Sequence, residues 1–271
     1  MKTRVIAGLS MAVGLMALGL AGPKWASALL WAVLMAIGAY ELLYRTDLVK
    51  DRRLVGYAAA AAFGCACWSY FGSVFAWGLL GLVIFMTLLF WEMMRSHVQC
   101  TFQKITMTLM AGIMVPFMLC SIVRIHGMLI GRYMVLVPFI ASVLNDIGGY
   151  FAGMFFGRHK LAPVISPKKT VEGAVGGVLL AILGMIIYAA ILDLFFKFHV
   201  NYGYALIYGL LGALCGMFGD LCFSVIKRQA GIKDYGNLIP GHGGVLDRFD
   251  SLLLTGPLVE ALLVLIPFAV G

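Results

Sequence analysis

Residues 202–228, YGYALIYGLLGALCGMFGDLCFSVIKR, form an apolar run of bilayer length that carries one carboxylate, Asp220, and ends on a dibasic pair. About 20 apolar residues rising 1.5 Å each cross a hydrocarbon layer of ~30 Å, so the stretch predicts a transmembrane helix over 202–226. Asp220, Ser224 and Lys227 fall at i, i+4 and i+7, on one helical face. That face places a carboxylate, a hydroxyl and a cation in line, leading out of the membrane. A structural salt bridge is the plain alternative for Asp220, and the company it keeps favours a functional reading. Gly212, Gly216 and Gly219 on the same run give a smooth surface for another helix.

The rest of the chain is of the same kind. Its 271 residues are 62% hydrophobic and 12% charged, with mean hydropathy +0.99, which excludes a soluble globule. Further apolar segments lie at 5–21, 25–44, 54–72, 74–93, 105–123, 133–157, 173–196 and 252–270. The expected fold is an all-α polytopic integral membrane protein with about nine transmembrane helices and a polar active site on the cytosolic side. Met1-Lys2-Thr3-Arg4 followed by an apolar run has the shape of a signal peptide; a retained first span fits better, because only Pro23 and Lys24 separate it from the next one. With the N-terminus cytoplasmic, only Lys24, Arg124, Arg132 and Lys197 of the 20 Lys and Arg fall on the outer side. This bias predicts a multi-pass protein of the cell (inner) membrane, N-terminus in the cytosol. The +8 net charge follows from topology and attraction to anionic lipid heads, and implies no nucleic-acid partner. The six cysteines lie mostly inside spans without metal-ligand spacing, and read as small apolar residues.

The longest polar interruption is residues 224–250, SVIKRQAGIKDYGNLIPGHGGVLDRFD. It gathers the cations Lys227, Arg228, Lys233 and Arg248, the carboxylates Asp234, Asp247 and Asp250, and His242 among glycines. Gly241, Gly243 and Gly244 permit positive φ, so that successive N–H groups can close on phosphate oxygens, although a glycine-rich turn is often only a turn. Asp247 and Asp250, three apart, suit Mg²⁺ or else offset a helix dipole. Lys227-Arg228 alone would be a positive-inside anchor.

Taken together, the order and spacing of Ser224, Lys227, Arg228, Lys233, Asp234, Pro240, His242, Gly243, Gly244, Asp247, Arg248 and Asp250 resemble the signature of the phosphatidate cytidylyltransferases, the CDP-diacylglycerol synthases. Ser166-Pro167-Lys168-Lys169-Thr170 with Glu172-Gly173 looks like the family's second shared block, and Gly219-Asp220 like the place of its metal-binding aspartate. The resemblance implies transfer of a cytidylyl group from CTP to phosphatidate, giving CDP-diacylglycerol and diphosphate for phospholipid biosynthesis. It implies Mg²⁺, with Mn²⁺ as a substitute, held by Asp220 and Asp247, and leaves room for a second cation, monovalent or divalent. Asp220, Asp247, Lys227, Arg228, His242 and Asp250 are the expected catalytic set. Asp146, Ser166, Lys168, Lys169, Thr170, Ser224, Lys233, Asp234, Gly243, Gly244 and Arg248 are the expected substrate-binding set. Expected partners are CTP, phosphatidate and the lipid bilayer, with a homodimer left open.

Residues 1–130 then read as transmembrane scaffold and 131–271 as the catalytic region. Asp146 lies eleven residues from the inner end of its predicted span, roughly 17 Å deep, where an ionisable group must face a polar cavity. Gly149, Gly153 and Gly157 follow at intervals of four; with Gly212, Gly216 and Gly219 they either line a slot for lipid entry or seal helices together. Ser166 and Thr170 have helix capping as an equal alternative. Glu41 and Glu92, near inner span ends, read as carboxylates reaching water or pairing with Arg, and Glu41 is not read as catalytic. Asp193 and Glu260 have no such company. A transporter would spread its charges through the membrane depth, and a CDP-alcohol phosphotransferase would carry a multi-aspartate helix that is not found.

Overall fold

The structure, a computed structural model, describes residues 14, 17–72, 74–96, 100–238 and 243–270. In chain order, α1 (Lys24–Tyr40) runs into a π-helical turn (Glu41–Arg45), followed by α2 (Arg52–Tyr70) and α3 (Phe75–Arg95). Asp51 caps α2, its carboxylate accepting from Arg53 N at 2.9 Å. Next come α4 (Phe102–Leu109), a π-helical turn (Met110–Met114), α5 (Val115–Leu119) and α6 (Ser121–His126). Pro116 explains the break: it has no N–H and its ring crowds the carbonyl of residue 112, inside the π turn. Then follow α7 (Gly131–Met134), α8 (Val137–Phe156), the hairpin β1 (Lys160–Ala162) and β2 (Ser166–Thr170), and α9 (Val171–Phe196). The chain closes with β3 (His199–Val200), α10 (Tyr202–Gln229), α11 (Leu246–Phe249), α12 (Leu252–Leu265) and β4 (Ala269–Val270).

The protein is an all-α membrane protein. Among the described residues, six helical segments are long and apolar enough to cross a membrane: Lys24–Arg45, Phe75–Arg95, Phe102–His126, Gly131–Phe156, Val171–Phe196 and Tyr202–Gln229. Three of the nine expected spans are not among them. The first, 5–21, lies mostly outside the described residues. The span expected at 54–72 is a helix, α2, but opens on Arg52-Arg53 and is rich in Ala and Gly. The span expected at 252–270 is the 14-residue α12, about 21 Å long, short of a ~30 Å layer. It stops before Pro267, and Ala269 and Val270 pair instead with Val200 and His199.

The chain forms two compact units, each discontinuous in sequence. One comprises residues 1–127 and 229–249, so the segment Gln229–Phe249 of the motif folds with the N-terminal helices. There α1 and α2 pack along each other, with Ala28, Ala32 and Ala39 on one and Ala58, Ala62 and Ala66 on the other buried. Trp31 meets Phe249 at 5.0 Å between ring centroids, and Tyr235 is wholly buried.

The other unit, residues 128–228 and 250–271, is built on the antiparallel pair α8 and α9. Their contact is glycine against glycine. A Cβ on Gly148 would lie 2.8 Å from the Gly176 carbonyl oxygen and 2.9 Å from the Gly177 Cα, and one on Gly173 would lie 2.7 Å from the Gly149 carbonyl oxygen. On α10, a Cβ on Gly212 would meet Ala141, one on Gly216 would meet the Thr255 hydroxyl, and one on Gly219 the Asp250 carbonyl. These glycines therefore seal helices together, and Gly149, whose Cβ would have room, is the member of the rows that borders a cavity. We expect Gly148→Val to destabilise the protein by about 1–3 kcal/mol or more, because the obstructing atoms are backbone and cannot rotate aside. Thermal unfolding in detergent would read this as a lowered Tm, with Gly56→Ala, a position with open space around it, as the neutral control.

Candidate active site

The residues expected to form the site divide between the two units. In the C-terminal unit, β2 ends on Thr170, whose hydroxyl accepts from Gly173 N at 3.1 Å and caps α9. The capping role read for Thr170 is therefore real, while Ser166 lies in the strand. This cap sets the preceding Lys169 against α10, where its Nζ meets Asp220 Oδ2 at 2.5 Å. The Ser224 hydroxyl donates to Asp220 Oδ1 at 3.3 Å, one turn along, as the i, i+4 spacing requires. Arg228 Nε donates to the Ile165 carbonyl at 3.3 Å, fixing the hairpin from its other end.

A second chain of polar contacts begins at Lys227, only 9% exposed, whose Nζ stands 3.8 Å from Asp250 Oδ2. The Ser251 hydroxyl lies 3.4 Å from Asp250 Oδ1 and 3.3 Å from Asp146 Oδ2, joining the two carboxylates. Burial, with Asp220 and then Asp146 nearby, pushes the Asp250 carboxyl up to about 7 against the opposing pull of Lys227 and the Ser251 amide. Asn145, Asp146, Gly149, Tyr150, Leu161, Lys168, Lys169, Thr170, Gly173, Ala174 and Met217 enclose a cavity of about 210 Å³. Four residues expected to bind substrate, Asp146, Lys168, Lys169 and Thr170, thus share one cavity that also has an apolar side.

In the N-terminal unit Asp247, 7% exposed, organises the motif loop. Its Oδ2 accepts from Tyr235 N at 2.7 Å and from Gly244 N at 2.9 Å. Gly243 has φ +87°, and a Cβ there would lie 2.8 Å from the same oxygen, so the expected positive-φ glycine is present for a definite reason. Lys233, Asp234 and Arg248 are exposed. His242, with Pro240, lies outside the described residues.

Among the described residues no three His, Cys, Asp or Glu side chains converge to hold a metal ion by themselves. Mg²⁺ does not require such a cage, since it keeps several waters and takes one or two carboxylates together with substrate phosphates. The donor chemistry fits: Asp146, Asp220 and Asp250 are hard oxygen donors near enough for two of them to oppose ionisation of the third. The sequence reading missed Ser251 and misplaced Glu41, which neither reaches water nor has an arginine as its hydrogen-bond partner. Ser251 has no spacing signal beyond following Asp250. Glu41 carried one, a carboxylate near a span end, and proves to be 3% exposed, accepting from Val245 N at 3.0 Å and Leu246 N at 3.1 Å.

Apolar helices carrying carboxylates and lysines define a polytopic membrane protein with a polar cluster among its helices. The sequence profile of the cytidylyltransferase family matches residues 2–266, and the chain belongs to that family. Similar proteins include the phosphatidate cytidylyltransferase of Staphylococcus epidermidis, 44% identical over 133 residues, 49% of this chain and 49% of that one. The proteins of that name from Staphylococcus aureus and Staphylococcus haemolyticus are 43% and 40% identical over 134 residues, 49% of this chain and 50% of each of those. The chain spans about half the length of the curated relatives it matches. The resemblance read in residues 224–250 is borne out at the level of the family.

The raised Asp250 carboxyl has a consequence for pH. Between the unfolded value near 4 and about 7 the folded protein holds a proton that the unfolded chain releases, so this group's stabilisation is lost as pH rises through that window. In chelator, Tm should fall from pH 5 to pH 8, by an amount on the order of a few kcal/mol in stability. Asp250→Asn should flatten this slope; an equal slope in the variant would assign the titration to another group.

Proposed function

We propose that the protein transfers a cytidylyl group from CTP to phosphatidate, releasing diphosphate and CDP-diacylglycerol. The cavity shared by Asp146, Lys168, Lys169 and Thr170 carries the reading: cations and a capped helix N-terminus stand beside an apolar wall of Tyr150, Leu161, Ala174 and Met217. That combination suits an anionic head group attached to acyl chains. The relatives' name, phosphatidate cytidylyltransferase, supports the same substrate.

In this reading a phosphatidate oxygen bonds to the α-phosphorus of CTP while the bond from that phosphorus to the diphosphate oxygen breaks. A phosphomonoester is already anionic near neutral pH, so no protein nucleophile is needed, and positioning and charge do the work. Lys168 and Lys169 hold phosphate charge. Lys169 exchanges part of its attraction for Asp220 when a phosphate arrives. Ser224 keeps Asp220 oriented, and Ser251 does the same for Asp146 and Asp250. Lys233 and Arg248 are the cations that the resemblance assigns to nucleotide phosphates. As the resemblance implies, Mg²⁺, for which Mn²⁺ would substitute, would be held by Asp220 and Asp247 and would supply neutralisation of developing negative charge. The ligand role that the motif implies for Asp247 stands beside its observed hold on the loop. The basic-residue bias supports a cell (inner) membrane protein with cytoplasmic N-terminus and a cytosolic site.

Purified protein given labelled CTP, phosphatidate and Mg²⁺ should yield a lipid-soluble cytidine product, and its absence would overturn the reading. Asp220→Asn should lower turnover on the order of a hundredfold or more in folded protein. For topology, single cysteines at Lys160 and Asn237 in a cysteine-free background should resist an impermeant maleimide in intact cells; labelling from outside would reverse the orientation.

A further inference from the structure

We propose that Glu41 is a positioning residue for the reaction, clamping the loop that carries Asp247. This rests on the proposed cytidylyltransferase reading. Glu41 opens the π-helical turn Glu41–Arg45 and reaches more than 200 residues along the chain, with Oε1 accepting from Val245 N and Oε2 from Leu246 N. These amides belong to the entry of α11, whose second residue is Asp247. Four N–H groups at a helix start have no partner within the helix, and Glu41 takes one of them together with the N–H just before it. Asp247 in turn accepts from Tyr235 N and Gly244 N. The two carboxylates thus grip the same short segment through different amides.

The surrounding backbone is shaped to this carboxylate. A Cβ on Gly236 would lie 2.5 Å from Glu41 Oε1, and one on Gly244 would lie 2.5 Å from Oε2. Both glycines are buried, so the approach is a close fit and not open space. Opening the last helical stretch of the segment into a π turn is how a chain re-aims one side chain without ending the helix. Glu41 touches no reacting atom in this account and acts through Asp247 and the loop.

Glu41→Gln tests the clamp with little change of shape, because one acceptor oxygen becomes an NH₂ group facing an N–H donor. In the purified full-length protein, kcat should fall roughly 10- to 100-fold, as for other residues that orient ligand-bearing groups. The Mg²⁺ requirement should rise, KM for phosphatidate should stay, and amide hydrogen exchange in residues 243–249 should speed up. A merely structural residue would lower the folded fraction without moving the Mg²⁺ requirement. Gly236→Ala displaces the carboxylate while keeping its charge and should reproduce the pattern if Glu41→Gln does not fold. Glu41→Asp, with two acceptors on a shorter arm, should recover part of the loss. Wild-type kcat and exchange in Glu41→Gln, or lost activity with unchanged exchange, would overturn the proposal. A wild-type protein without cytidylyltransferase activity would instead overturn the functional reading, and the exchange measurement would still decide whether Glu41 clamps the loop.

Discussion

A carboxylate on a membrane-crossing helix has to be compensated, and the organisation of the C-terminal unit follows from compensating Asp220. An isolated charge taken out of water costs several kcal/mol even after relaxation. The partner comes from outside the helix: Lys169 at the end of β2. For Lys169 to be there the hairpin must turn back over α10, and Thr170 must convert strand into helix within one residue. The turn is possible only because α8 and α9, which the hairpin connects, run so close that their glycines touch. Charge compensation, cap and close packing meet at the same end of α9.

Such an arrangement also leaves something unfinished. Asp250 is crowded by Asp220 and Asp146, and Lys227 offsets it only across 3.8 Å. Asp247 is different in kind. Two backbone amides converge on one of its oxygens, so it shapes the loop as well as charging it.

The sequence made six of the expected spans legible, because bilayer length leaves few readings of such residues. Asp220, Ser224 and Lys227 lie on one face as their spacing required. The limits were equally physical. A row of glycines looks the same whether it borders a slot or a neighbour, and only the partner helix decides; here Gly173, Gly176 and Gly177 were that partner. Hydropathy registers the apolar character of 252–270 and not the interruption at Pro267, so a short helix read as a full span. Glu41 was visible as an acidic residue near a span end, but nothing local could say that its partners would be Val245 and Leu246.

The hairpin between α8 and α9 is pinned twice on α10, by Lys169 to Asp220 and by Arg228 to the Ile165 carbonyl, while Val164 at its tip is 87% exposed. Its two halves therefore differ in their tolerance of insertions. Residues added at Pro163-Val164 extend a solvent-facing turn and leave both pins in register. A single residue added between Ser166 and Thr170 reverses which strand face each lysine occupies and takes Lys169 off Asp220. An epitope or a reporter belongs at the tip, between the two pins.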